Sequence, residues 1–161
     1  MLKNIVPIDI RNFRKVNDWL YRGGQPEEQQ YQLLADQGIK TVINLRSTKR
    51  LIETERAIVE RLGMRFESIP MTYIKSPTYN EVKQFLAIVD DSQMRPIFVH
   101  CLHGADRTGI LCGIFRMIRE GWDVKDAFTE MRAGGWHQLW MFHYEFVISA
   151  YGLLIRKGLI K

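Results

Sequence analysis

An α/β fold, a small mostly parallel sheet flanked by helices, is what this sequence predicts, and three observations carry the prediction. Short β-branched and apolar runs of strand length alternate with segments whose apolar residues recur at helical spacing. Glycine and proline stand at the ends of these segments rather than within them. After the last strand-like run the chain carries helical patterns alone, so the sheet comes first and a set of helices closes it. With 161 residues, 46% hydrophobic and 25% charged, the chain can bury a sizeable core and has the size of one domain, 1–161. No repeat, low-complexity tract or linker divides it. Disorder, collagen and coiled coil are excluded as its main state.

In chain order, residues 19–22 read as a short strand that runs into a Gly23-Gly24 turn. Pro26 opens a helix over 27–37, which Gly38 closes. Residues 40–45, rich in β-branched side chains, form a buried strand. A helix over 53–62 stops at Gly63, and 65–69 is a strand that ends at Pro70. After a loop at 71–77, residues 79–89 place Val82, Phe85, Leu86 and Val89 on one face of an amphipathic helix. Residues 96–100 are a short apolar strand. Residues 107–120 are apolar nearly all round and predict a central helix buried by its neighbours. Asp123 caps a helix that reaches 132, Gly134 and Gly135 break it, and 137–157 form a long last helix. The aromatic group Trp136, Trp140, Phe142, Tyr144 and Phe146 reads as core rather than as a base-stacking surface. His137 and His143 read as surface or packing residues.

The formal charge of +5 and a sequence pI near 9.3 favour an anionic partner without saying which anion. Two cysteines, Cys101 and Cys112, are too few for a disulfide scaffold or a four-thiolate zinc site. A reducing compartment follows as the simpler reading. The first residues lack the apolar core of a signal peptide, and the longest apolar stretch, 146–155, falls short of a membrane span. A soluble, cytoplasmic protein is the expectation, apart from any leader already removed.

The chemistry concentrates in residues 100–109, HCLHGADRTG, where the last strand passes into the buried helix. A strand, a tight loop and a helix N-terminus make an anion site, because successive backbone N–H groups turn inward and the helix dipole adds positive charge. Gly104 lets the backbone curl. Cys101 is placed beneath the bound phosphorus, and Arg107 reaches round to hold two oxygens in a bidentate fork. The same donors favour thiolate over thiol, and the Thr108 hydroxyl can donate to the sulfur. A cysteine followed six residues later by arginine is common by chance. The added His100, Gly104, Thr108 and Gly109 make the pattern specific. The bland alternative is a buried cysteine beside a surface arginine.

This order, H-C-x-x-G-x-x-R-[ST]-G, resembles the signature loop of the cysteine-dependent protein-tyrosine phosphatase superfamily, and the short chain resembles its dual-specificity branch and bacterial relatives. YRGGQP, GIKTVINLR and GWDVKDAFTEM extend the resemblance more weakly over most of the chain. The resemblance implies a dual-specificity-phosphatase-like fold with no metal and no cofactor. It makes Cys101 the nucleophile that forms a phosphocysteine and Arg107 the stabiliser of the transferring oxygens. The amides of Leu102, His103, Gly104, Ala105, Asp106 and Arg107 then bind the phosphoryl group, and His100 orients the loop and tunes the sulfur.

The family draws its general acid from the loop that here is 71–77, and this loop holds no carboxylate. Asp90 and Asp91 precede the strand whose far end delivers Cys101. Asp106 is nearer, and its place before the arginine resembles the C-x-x-G-x-D-R-T loop of the myotubularin phosphoinositide phosphatases, so Asp106 is the expected general acid. A missing loop acid favours leaving groups that need little protonation, or dense phosphates that lend a proton of their own. Lys75, Arg46, Lys49 and Arg50 sit where α/β ligands bind, as polyanion contacts or as a solvated turn. His103 faces solvent or lines the pocket. Cys112 reads as a small core residue, with a redox partnership with Cys101 as the lesser alternative.

The sequence therefore points to a cysteine phosphatase acting on phosphorylated, anionic substrates. Inositol polyphosphates lead, by resemblance to the tyrosine-phosphatase-like phytases and inositol pyrophosphatases. Tyrosine or dual-specificity protein phosphatase is the alternative. An RNA 5′-triphosphatase, with nucleic acid the less favoured partner, and a phosphate-binding module without turnover stand behind it.

Overall fold

Five short strands form one sheet in the order β1-β2-β5-β3-β4: β1 (Arg14–Lys15), β2 (Leu20–Gly23), β3 (Thr41–Asn44), β4 (Arg65–Ser68) and β5 (Ile97–His100). Only β1 runs antiparallel to its neighbour, so the expected mostly parallel sheet is observed. The computed structural model describes residues 8–135 and 138–160, with the side chains of 138–142 left aside. Trp136, His137, Trp140 and Phe142 thus lie outside the described side chains.

The helices are α1 (Glu28–Asp36), α2 (Lys49–Arg61), α3 (Tyr79–Asp90), α4 (Asp106–Glu120), α5 (Val124–Ala133) and α6 (Gln138–Arg156). Period-2 alternation along the strands divides the core between two faces. Tyr21, Val42, Phe66 and Phe98 meet Tyr31 and Leu34 of α1 and Ile52 and Val59 of α2. Leu20, Ile43, Ile97 and Val99 meet α3, α4, α5 and α6 on the other. β2, β3 and β5 are buried at every position, which is why apolar residues on these strands face both sides of the sheet.

The central helix α4 is buried as its composition predicts: Ile110, Leu111, Ile114 and Phe115 are all buried, each worth roughly 1.5–3 kcal/mol relative to exposure. Arg116 donates from Nη2 to Glu130 Oε1 at 2.7 Å and stacks 4.2 Å from the Trp122 ring, fixing α5 against α4. Arg119 grips Asp90 with Nε and Nη2, the latter at 2.8 Å, which ties α3 to α4. Cys112 is fully buried in α4, as a core residue is expected to be.

Two elements differ from the sequence expectation. β1 was not anticipated, because two polar residues carry no period; its register opposite Tyr21 and Arg22 defines it. α2 begins at Lys49 rather than at 53, since Thr48 is extended and the basic residues after it join the first helical turn. No helix among the described residues is long and apolar enough to cross a membrane.

Candidate active site

β5 lies between β2 and β3, with His100 level with Gly23 and Asn44. The chain leaves β5 at His100 and enters α4 at Asp106, so residues 101–105 turn at the carboxyl end of the sheet's central strand. This is where parallel α/β sheets present ligands.

Every carbonyl of the turn is bonded outward. Cys101 O accepts from His100 Nδ1 at 3.2 Å, and Leu102 O from the Gln25 amide at 3.1 Å. His103 O accepts from Asn12 Nδ2 at 2.8 Å, and Gly104 O from Arg22 Nη2 at 2.9 Å. Ala105 O begins the α4 ladder, accepting from the Gly109 amide at 2.9 Å. Within a peptide unit the N–H points opposite to the C=O, so the amides of residues 102–106 lie on the side away from these bonded carbonyls.

Gly104 has φ +69°, and a Cβ there would fall 2.3–2.6 Å from the backbone of Gly23 and Gly24. Gly104→Ala is expected to cost about 2 kcal/mol or more of stability, from the left-handed backbone and the clash together. Chemical denaturation checks this; a midpoint equal to wild type would mean the loop relaxes at little cost.

Beneath the loop, Glu55 organises a buried polar network. Its Oε1 lies 2.6 Å from His100 Nε2, and its Oε2 accepts from Gln25 Nε2 at 3.1 Å and from Asn44 Nδ2. Burial pushes the Glu55 carboxyl up, but the His100 ring and the surrounding hydrogen bonds outweigh it and hold it below the ordinary carboxylate value. Gln25 passes the network outward, accepting from Arg46 Nη1 at 2.9 Å. His100 is thus held between Glu55 and the first carbonyl of the loop.

Cys101 is buried at the start of the loop, and both cysteines are free thiols. Burial pushes the Cys112 thiol up to about 11. Arg107 is also buried, and its Nη1 donates to Met71 O at 3.1 Å and Leu45 O at 3.4 Å. Those carbonyls follow β4 and β3, so one guanidinium ties two loops to the base of α4. Thr108 is fully buried, but among the described residues its hydroxyl makes no hydrogen bond, to the Cys101 sulfur or elsewhere. Asp106 and His103 are half-buried and Leu102 is exposed.

Tyr144 of α6 is buried, and its hydroxyl donates to Lys75 O at 3.3 Å. Burial pushes that hydroxyl up; Arg107 opposes this, whereas Asp106 and Cys101 add to it. Its core character was legible, its hydroxyl's place was not. Of the expected cations, Arg46 is tied beside the loop through Gln25 and Lys75 is exposed on 71–77. Lys49 and Arg50 are exposed in the first turn of α2, not in a preceding loop. Asp90 is held by Arg119.

Arg22, Gln25, Asn44 and Glu55 were missed as site residues. Two left a signal: Glu55 sits on the apolar stripe Ile52, Glu55, Val59 of α2, and Arg22 stands inside a buried strand.

The model of the family described as DSP-PTPase phosphatase fused to NAD+ kinase matches residues 8–141. The dual specificity protein phosphatase TpbA of Pseudomonas aeruginosa is 30% identical over 125 residues, 77% of this chain and 55% of TpbA. The inositol diphosphatase DSP4 of Arabidopsis thaliana is 27% identical over 123 residues, 74% of this chain and 61% of that protein. The chain therefore spans less than two thirds of the length of these relatives. In structure, TpbA superposes with a TM-score of 0.74 at 23% identity, covering 96% of both chains. The core catalytic domain of the PP-IP phosphatase Siw14 of Saccharomyces cerevisiae gives 0.73 at 22%, covering 91% of this chain and 87% of that one. The chain belongs to the DSP-PTPase family, phosphoester hydrolases of the cysteine-dependent protein-tyrosine phosphatase superfamily.

Proposed function

We propose that this chain is a metal-independent cysteine phosphatase that hydrolyses phosphomonoesters through a phosphocysteine intermediate, with inositol polyphosphates as its preferred substrates. The observation that carries the reading is the outward bonding of all five carbonyls of residues 101–105, with Arg107 buried beside them. Loop amides freed to converge, together with the α4 N-terminus, suit a phosphoryl group above the Cys101 sulfur.

In this mechanism the Cys101 thiolate attacks phosphorus, and the bond to the leaving oxygen breaks with its electron pair. Asp106 gives that oxygen a proton. Water, losing a proton to the same carboxylate, then attacks the phosphocysteine and releases phosphate and thiolate. The amides of residues 102–107 bind the phosphoryl oxygens, Arg107 forks two of them, and Thr108 turns its hydroxyl to the departing thiolate. His100, braced by Glu55, orients the loop.

Asp106→Asn is expected to slow first-turnover release of the alcohol from an alkyl phosphate by about 10²-fold or more while sparing first-turnover release of p-nitrophenol from p-nitrophenyl phosphate, whose leaving group needs no proton. Equal losses on both substrates would remove Asp106 from the role.

Arg46 beside the loop, Lys75 on 71–77 and Lys49 at the start of α2 support a polyanionic substrate, as does the charge of +5. A dense polyphosphate also supplies a proton where residues 71–77 have no acid. The relative named an inositol diphosphatase agrees with this choice. Tyr73 and Ile74, 66% and 65% exposed on the same loop, favour a second reading, a tyrosine or dual-specificity protein phosphatase that packs an aryl group there.

Phosphate release from inositol hexakisphosphate is compared with release from phosphotyrosine and phosphoserine peptides, under reductant and chelator. A higher kcat/KM on the inositol phosphate is expected. Preference for phosphotyrosine would establish the second reading, and phosphate binding without release from any of them would leave a binding module.

A further inference from the structure

Arg22 is a cation where a strand interior ordinarily holds an apolar side chain. It is the third residue of β2 and fully buried, with Leu20 and Tyr21 before it in the core. Opposite Val99 in register, it stands beside the end of the strand that delivers His100 and the loop. Its Nη2 donates to Gly104 O at 2.9 Å and to Ala105 O at 3.5 Å, the last two carbonyls before α4.

Glycines make room for it. A Cβ on Gly134, which ends α5, would stand 3.2 Å from Nη2, and one on Gly109 in α4 would stand 3.4 Å away. Its Nε and Nη1 are buried without a hydrogen-bond partner among the described residues. Neighbouring groups feel the charge: burial and then Arg22 push the Arg14 guanidinium below its ordinary value. A buried cation bonded only to carbonyl dipoles is costly unless negative charge reaches it. The loop above Arg22 is the one that receives a dianion in the proposed reaction.

We propose that Arg22 is a positioning residue of the phosphate loop: its guanidinium keeps the Gly104 and Ala105 carbonyls turned from the anion, and a bound phosphate dianion compensates its charge. The inference rests on the phosphatase reading for the identity of that anion. It assigns Arg22 no contact with substrate. Its effect runs through the loop backbone and through electrostatics at close range in a dry interior.

Arg22→Met and Arg22→Lys are compared with wild type, using inorganic phosphate as inhibitor of p-nitrophenyl phosphate hydrolysis and as the ligand in thermal melts. The Met variant is expected to raise the phosphate Ki and the substrate KM about tenfold or more, with a smaller fall in kcat. It should also lose most of the rise in melting temperature that phosphate confers on wild type. The Lys variant, which keeps the charge and one donor toward Gly104, is expected to bring Ki back to within about threefold of wild type. A purely structural role would lower the unliganded melting temperature and leave Ki alone.

Should Arg22→Met fail to fold, Gly134→Ala presses on Nη2 from outside, and an expected rise in Ki of about threefold decides in its place. An unchanged Ki in the variant that folds overturns the proposal. If wild type releases no phosphate yet phosphate raises its melting temperature through Arg22, the catalytic reading fails and the positioning role stands. If release depends on Cys101 while Ki is the same in Arg22→Met, the reverse holds.

Discussion

Cys101→Ser is expected to lower phosphate release by about 10⁴-fold or more on every substrate, while inorganic phosphate still raises the melting temperature of the variant. The thiolate is the attacking species in a cysteine phosphatase, and a serine hydroxyl holds its proton far more tightly, so replacing sulfur by oxygen removes the nucleophile and leaves the anion site. Cys101 is buried in a loop whose Leu102, His103 and Gly104 carbonyls are bonded to Gln25, Asn12 and Arg22, so a side chain of similar size leaves that scaffold in place. Acid quenching during turnover should in addition trap one phosphoryl group on wild type and none on the variant, read by intact mass. Retention of more than about a tenth of the activity would mean that another group attacks phosphorus.

Arg107→Lys is expected to lower kcat/KM by about 10³-fold, with a fall in kcat and a rise in KM. Lysine keeps the charge, but a single ammonium cannot form the planar fork that holds two phosphoryl oxygens. Arg107 Nη1 also donates to both Leu45 O and Met71 O, at 3.4 and 3.1 Å, so the side chain that changes is the common anchor of the loops after β3 and β4. Steady-state kinetics on p-nitrophenyl phosphate measure the effect, and thermal melts separate it from unfolding. A change of less than tenfold would show that charge alone suffices and that the bidentate geometry is dispensable.

The elements with strong periodicity were legible in order and type. The β-branched run before Leu45, the amphipathic stripe of Val82, Phe85, Leu86 and Val89, and the all-round apolar segment of α4 each announce their burial locally. β1 did not, because Arg14 and Lys15 become a strand only by pairing with β2. The start of α2 at Lys49 was hidden for a related reason: basic residues after a strand read equally as a turn or as a first helical turn.

The site divides in the same way. Residues 100–109 are contiguous, so the chemistry of Cys101, Gly104 and Arg107 and the strand-loop-helix that presents it follow from the sequence by itself, as does the lack of a carboxylate at 71–77. What holds that loop comes from far along the chain: Asn12, Arg22 and Gln25 from around β2, and Glu55 from α2. Tyr144 arrives from α6 and bonds the Lys75 carbonyl. Sequence carries local geometry and residue chemistry, because both depend on near neighbours. Which distant side chain meets which carbonyl depends on how the strands order and the helices pack, so the tertiary structure alone turned a buried arginine and a stray glutamate into supports of the β5–α4 segment.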